Sequence, residues 1–215
     1  PPPADTEPAS AERTSWLFKS LVDAGHDPLG LVLDRAKSHG LETFISFRMN
    51  EVHATEEADS LILSRFWRDH PEYHIGTPGD PLAPPYKQIL GPRTHPIVGT
   101  WLPGGLNFAI PEVRAYRLAQ LREVLERYDV DGLDLDFQRF PMYFKPGEEE
   151  AGRAIMTGFV REIRALTREI ADARGRPVLL SARILAAPQQ NAAIGLDPET
   201  WAAEGLIDFV IVSTG

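Results

Sequence analysis

The feature that most constrains the fold of this chain is a repeated alternation of short apolar runs with helical patterns. Four runs are dense in β-branched and apolar residues, as buried strands are: ETFISFRMN, VDGLDLDF, PVLLSARI and IDFVIVST. Apolar residues recur at helical spacing in other segments, namely 28–40, 111–128, 149–173 and 198–203. Near-continuous apolar strands joined through helices are typical of a parallel sheet covered by helices.

Two architectures share this alternation, the (β/α)8 or TIM barrel and the doubly wound open sheet. No Gly-rich phosphate loop follows any of the four predicted strands, which weakens the open-sheet alternative. The predicted fold class is therefore α/β, a TIM barrel that is incomplete in this chain. A closed barrel needs eight strands and typically about 250 residues.

The predicted domain organisation has two parts. Residues 1–13 begin with the Pro-rich, polar stretch PPPADTEPAS and are predicted to form a loop or linker. Residues 14–215 are predicted to form the partial barrel, with a long loop at about 51–108. The apolar run 207–214 has the composition of a buried strand, and Gly215 follows it directly. We therefore expect the sequence to be a piece of a longer protein.

Composition excludes several classes of function. A net charge of −9 disfavours nucleic-acid partners and anionic membrane surfaces, because both need concentrated Lys and Arg. No run approaches the roughly 18 apolar residues of a membrane span. The absence of cysteine excludes disulfides and thiolate metal sites. The histidines His70, His74 and His95 lack a ligand spacing such as HExxH, so we predict no metal and no cofactor.

The second predicted strand carries two carboxylates on one side. Alternation along a strand places Asp134 and Asp136 opposite Leu133, Leu135 and Phe137. Active sites of parallel barrels lie at the C-terminal ends of strands, so Asp136 is the first candidate for a catalytic group. Asp134 lies one strand repeat deeper and is expected to orient or tune Asp136. The alternative is that both aspartates are structural and hold arginines or backbone amides.

Other polar residues fall at equivalent heights on neighbouring strands. Arg48, Asn50 and Arg183 are predicted to converge with Asp136 at one mouth. A guanidinium presents a planar fork to a carboxylate or sulfate, so one interpretation is an anionic substrate. The other is that both arginines neutralise Asp134 and Asp136.

The predicted loop supplies further candidates. Glu51 is the nearest candidate for a second carboxylate, and His53 for a hydrogen-bond donor or proton carrier. Trp101 is the preferred platform for stacking on a sugar, whereas Trp67 is expected to anchor the loop. Other aromatic residues available to the cleft are Tyr73, Tyr143 and Phe144.

The stretch from Leu106 to Pro141, LNFAIPEVRAYRLAQLREVLERYDVDGLDLDFQRFP, resembles bacterial proteins of the glycoside-hydrolase-like GHL10 (DUF187) family. The residues that carry the resemblance are Asn107, Pro111–Arg114, Tyr128–Gly132, Asp136, Phe137, Arg139, Phe140 and Pro141. The resemblance implies a (β/α)8 barrel whose strands three to six are visible here. It also implies a hydrolase of polysaccharides or cell-wall glycans in the periplasm or outside the cell, with Arg139 beside the substrate.

The same strand is similar to the Asp-Gly-x-x-x-Asp-x-Glu strand of family 18 chitinases, but Gln138 stands where that family has its proton donor. An amide cannot donate a proton as an acid does, so Gln138 is predicted to bind substrate. Three functional hypotheses follow. They are a glycoside hydrolase using Asp136, a catalytically silent carbohydrate-binding barrel, and a lyase acting on uronic acids.

Overall fold

The computed structural model describes residues 10–57, 59–60, 62–91 and 96–213. The chain divides into two compact units, 1–43 and 44–215. The first unit contains helix α1 (Ser10–Asp23) and helix α2 (Pro28–Ser38). Because α1 begins at Ser10, the prediction of a loop is wrong for residues 10–13, and residues 1–9 lie outside the described residues.

Both ends of helix α2 carry side chains that favour helix termini. The Asp27 side chain accepts hydrogen bonds from the backbone N–H groups of Leu29 and Gly30, which are free at a helix N-terminus. Arg35 and Lys37 lie in the last turn, where positive charge favours the helix dipole.

The second unit is built on a four-stranded parallel sheet in sequential order, which confirms the predicted α/β class. The strands are β1 (Phe44–Arg48), β2 (Gly132–Asp136), β3 (Leu179–Leu185) and β4 (Phe209–Ser213). The register aligns Arg48 with Asp136 and Asp136 with Arg183. Arg48, Asp136 and Arg183 therefore occupy paired positions on neighbouring strands, at the same level of the sheet.

The segment predicted as a long loop contains short helices between β1 and β2. They are α3 (Arg65–Asp69), α4 (Pro84–Leu90) and α5 (Pro96–Trp101), with 3-10 turns at Pro71–Tyr73 and Leu102–Gly104. Trp67 is 8% exposed, and its indole N–H donates to the Gly104 carbonyl at 2.7 Å. Trp67 therefore anchors the segment, as predicted.

Two long helices, α6 (Pro111–Arg127) and α7 (Glu149–Arg174), lie before and after β2 in the chain. Two short helices, α8 (Pro188–Ala193) and α9 (Pro198–Ala203), lie between β3 and β4. Helices α6, α7 and α9 fall where the sequence predicts them, whereas α8 was not predicted. Gly175 caps the C-terminus of α7, and its φ of 65° is left-handed and suits glycine. Within the part of the chain that the structure describes, no helix is long and apolar enough to cross a membrane.

The core lies under one face of the sheet. Leu133 and Leu135 of β2 and Leu180 and Ala182 of β3 are fully buried there. Trp201 of α9 is also fully buried, and its indole N–H donates to the Thr157 hydroxyl of α7 at 2.9 Å. The alternation that buries these residues turns the residues between them, Asp134 and Asp136 included, to the opposite face.

That opposite face is concave. Phe44 of β1 and Phe209 of β4 make an edge contact with ring centroids 5.6 Å apart. Two strands lie between them in the sheet. Three spacings of about 4.8 Å would hold the outer strands of a flat sheet roughly 14 Å apart. The contact therefore requires the sheet to curl toward this face.

The Phe44 ring packs closely against Gly132, where a side chain would leave no room for it. A Cβ at Gly132 would lie 2.2 Å from Phe44 and 2.7 Å from the Leu179 carbonyl oxygen. We expect Gly132→Ala to lower the free energy of unfolding by about 1–3 kcal/mol, as overpacking does. Urea denaturation followed by circular dichroism measures this.

Gly158→Ala is the matched control, because Gly158 lies inside α7 and its added Cβ meets nothing within 4 Å. This change should raise stability by about 0.5–1 kcal/mol through helix propensity. Equal stability of the two variants would contradict the tight contact at Gly132.

Candidate functional site

Asp136 ends β2 at the C-terminal edge of the sheet and is partly exposed. Its Oδ1 accepts hydrogen bonds from the backbone N–H groups of Gln138 at 2.9 Å and Arg139 at 3.0 Å. Among the described residues, no hydrogen bond is made to Oδ2. One oxygen therefore fixes the turn after the strand, and the other is left for a ligand.

Asp136 lines a cleft of about 230 Å³ together with the predicted residues Gln138 and Arg139. The remaining lining residues are Ile89, Leu90, Val98, Pro141 and Leu185. The sequence analysis missed Ile89, Leu90 and Val98, because they come from the short helices of the predicted loop. Leu185 ends β3, and strand alternation could have predicted its position at the cleft. The cleft thus combines a mostly apolar wall with one carboxylate, one amide and one guanidinium.

Asp134 is buried below this edge, with its side chain 3% exposed. Its oxygens accept hydrogen bonds from the Ser46 hydroxyl at 2.8 Å, the Ser181 hydroxyl at 3.1 Å and the Arg183 guanidinium at 3.0 Å. These donors come from β1 and β3, on either side of β2. Asp134 is thus a tie between three strands, and Arg183 neutralises it rather than facing the cleft.

Arg48 is also paired. Its guanidinium donates to Glu51 Oε2 at 2.9 Å, while Glu51 Oε1 accepts from the His53 N–H at 3.1 Å and contacts His53 Nδ1. Burial raises the pKa of Glu51, but the bonds from Arg48 and His53 outweigh this effect and leave the pKa below its ordinary value. Glu51 is therefore held in its ionised form.

His53 and Trp101 are brought together beside β2. The His53 ring lies 5.4 Å from the Trp101 ring and 4.8 Å, edge-on, from the Phe140 ring, measured between centroids. The Trp101 carbonyl accepts from the Thr55 hydroxyl at 2.9 Å, which fixes the loop around the ring. Trp101 stays partly exposed, as a stacking platform requires.

The prediction that Asn50 reaches the mouth is wrong. Its side chain is 1% exposed, donates to the carbonyls of Leu106 and Met142 and accepts from the Leu106 N–H. It joins the end of β1 to two loop segments instead of reaching the mouth. Tyr143 and Phe144 are likewise fully buried, and Tyr73 packs against Phe66 and His70 within the loop.

The histidines do not assemble a metal site in the described residues, where no group of three or more His, Asp and Glu could hold an ion. His74 stacks on Trp67 with ring centroids 4.2 Å apart, and burial lowers its pKa. His70 contacts Glu72 at 3.1 Å. His95 lies outside the described residues.

The comparisons with known proteins add no family to this description. No protein-family model matches the chain, and no curated protein matches it. What the fold and the site define is a parallel α/β protein with a cleft at the C-terminal edge of its sheet, which is where such proteins bind their ligands.

The Asp134 network should be measurable as stability. Asp134→Asn leaves Arg183 without its carboxylate, and we expect a loss of about 2 kcal/mol. Breaking a fully buried pair costs roughly 3–5 kcal/mol, but Arg183 is 33% exposed and partly solvated. Thermal and urea unfolding test this. Glu169→Gln, which breaks an exposed pair with Arg122, should change stability little, and equal effects of the two changes would contradict the structural role of Asp134.

The contacts of Glu51 with Arg48 and His53 should make a pH-dependent contribution to the stability of the fold. Since the pKa of Glu51 is lowered in the folded protein, its ion pairs stabilise the fold above the unfolded-state pKa of about 4.5. That contribution is lost as the pH falls through the lower folded-state pKa. The difference in melting temperature between the wild type and Glu51→Gln should therefore be largest near neutral pH and shrink toward pH 3. A constant difference would show that Glu51 is not held ionised by Arg48 and His53.

Proposed function

We propose that this protein is a glycoside hydrolase that uses Asp136, and that its chain forms strands three to six of a (β/α)8 barrel. The observation that carries the proposal is the position of Asp136. A carboxylate with one unbonded oxygen lines a cleft at the C-terminal edge of a parallel sheet. Barrel enzymes carry their catalytic groups at this edge.

The barrel is supported by the order and the curl of the sheet. The strands pair in sequence order and all run parallel, as neighbouring strands of a (β/α)8 barrel do. The contact between Phe44 and Phe209 across two intervening strands is what the interior of a barrel requires, because inward side chains of separated strands meet there.

Glycosidic hydrolysis uses two carboxyl groups, one that protonates the leaving oxygen and one that serves as base or nucleophile. Asp136 is our candidate for the first group and Glu51 for the second. The Met49 N–H binds the Asp136 carbonyl at 3.0 Å, so Asp136 and Glu51 leave neighbouring strand ends. The lowered pKa of Glu51 suits a base or nucleophile and not an acid.

Two kinds of side chain suit a sugar. Outside the residues that line the cleft, Trp101 offers a partly exposed ring for stacking on a pyranose face, and His53 beside it offers a ring nitrogen to a hydroxyl. The Gln138 amide lines the cleft and can both donate to and accept from sugar hydroxyls.

A second candidate function is carbohydrate binding without catalysis. The observation that favours it is the set of partners around the carboxylates. Asp134 is saturated, Glu51 already binds Arg48 and His53, and Gln138 is an amide. In the described residues, Asp136 is the one carboxylate that lines the cleft. Arg48 and Arg183, which favour a lyase in the sequence, are both in ion pairs, and this weakens the third hypothesis.

The experiment is release of sugar by the protein and its Asp136→Asn variant from a panel of neutral, amino and acidic glycans. Loss of an acid–base group costs about a hundredfold or more in rate, so the variant should fall by at least that factor. Asp172→Asn, an exposed substitution on α7, is the matched control and should leave the rate unchanged.

Other results would redirect the assignment. Binding of a glycan by both proteins without cleavage would support the binding barrel instead. Cleavage that yields an unsaturated product absorbing in the ultraviolet would identify a lyase. Equal hydrolysis by the wild type and Asp136→Asn would remove Asp136 from the reaction.

A further inference from the structure

Three arginines lie near the C-terminal ends of β1, β2 and β3, and they differ in their partners. Arg48 is paired with Glu51 and Arg183 with Asp134. Arg139, three residues beyond Asp136, is exposed and lines the cleft. In the described part of the chain its guanidinium makes no ion pair. Positive charge available to a ligand is therefore concentrated in Arg139, and not in the two arginines that the sequence singles out.

Arg139 is also held in place. Its guanidinium lies over the Phe140 ring, with its central carbon 5.1 Å from the ring centroid. Phe140 is 1% exposed and is held edge-on by His53, so the platform is rigid. The Arg139 backbone N–H is fixed by Asp136 Oδ1. In the described residues the guanidinium N–H groups of Arg139 make no hydrogen bond, so they stay available to a planar partner.

The rest of the cleft strengthens a charge interaction there. Ile89, Leu90, Val98, Pro141 and Leu185 line it with apolar surface. Charges act over longer distances beside such walls than in bulk water. An ionised Asp136 would repel an anionic ligand, and a guanidinium three residues away offsets that repulsion.

We propose that Arg139 binds an acidic group of the glycan, so that the substrate class is an anionic polysaccharide or oligosaccharide. The group is a carboxylate or a sulfate on a sugar ring, held by two parallel hydrogen bonds from the guanidinium edge. This inference rests on the proposed function in one respect, that the ligand of the cleft is a glycan.

The test is calorimetric binding to matched pairs of probes. Oligogalacturonate is compared with its methyl ester, and dextran sulfate with dextran, so that each pair differs in charge and keeps its backbone. The wild type should bind at least one anionic probe about tenfold more tightly than its neutral partner, which is the contribution of one charge-assisted pair. The pair that shows the difference identifies the carboxylate or the sulfate.

The variants separate a specific site from general charge. Arg139→Gln should abolish the tenfold preference, and Arg139→Lys should keep only part of it, because an ammonium lacks the planar fork. Arg168→Gln removes one exposed charge from α7 and should keep the preference in full. Circular dichroism checks that each variant is folded.

Each outcome bears on the inference separately from the proposed hydrolysis. A preference for anionic probes that survives in Arg139→Gln overturns the role of Arg139 and leaves hydrolysis untouched. Cleavage of neutral glycans alone, with Asp136 required, overturns the anionic class while the hydrolase stands. A preference that depends on Arg139 without cleavage of any glycan upholds the inference and removes the hydrolase. No binding to any of the four probes overturns the inference.

Discussion

One buried carboxylate, that of Asp134, ties together three strands on the concave face of the sheet. It accepts hydrogen bonds from Ser46 of β1 and from Ser181 and Arg183 of β3. A carboxylate placed there without these partners would be costly, because burial disfavours an unpaired charge. The same bonds hold the strands in the register that sets Arg48, Asp136 and Arg183 side by side. The position of the cleft therefore depends on a group that does not face it.

The two aspartates of β2 differ because of depth alone. They lie on one face of one strand, one repeat of roughly 6–7 Å apart. The deeper carboxylate finds donors on both neighbouring strands and is saturated. The upper one lies where the strand ends, so its donors are the backbone N–H groups of the turn that follows, and one oxygen stays open. Two aspartates two positions apart thus take different roles, Asp134 as a link between strands and Asp136 as a candidate catalytic group.

The sequence predicts what is local and misses what depends on distant segments. Strand alternation places Arg48 beside Asp136, and spacing predicts α6 and α7 to within two residues at either end. Helix α8 has six residues and is held by Asn191, whose side chain bonds the backbone of Leu185, and neither feature has a periodic pattern. The burial of Asn50 follows from loop segments far along the chain that cover it. The sequence leaves two roles open for the arginines, because only the positions of Glu51 and Asp134 decide between them.

Asp136 and Arg139, the two charged residues that line the cleft, are linked through the turn after β2. Asp136 Oδ1 binds the N–H of Arg139, so the carboxylate that we assign to chemistry also orients the residue that we assign to recognition. The Asp136→Asn variant keeps an oxygen acceptor at this position, and asparagine favours such turns. Asp136→Ala would remove the acceptor, release the turn and displace Arg139. Behind Arg139 the contacts continue through Phe140 and His53 to Glu51 and Arg48. One continuous series of contacts therefore joins Glu51 to the guanidinium of Arg139, although Glu51 itself does not line the cleft.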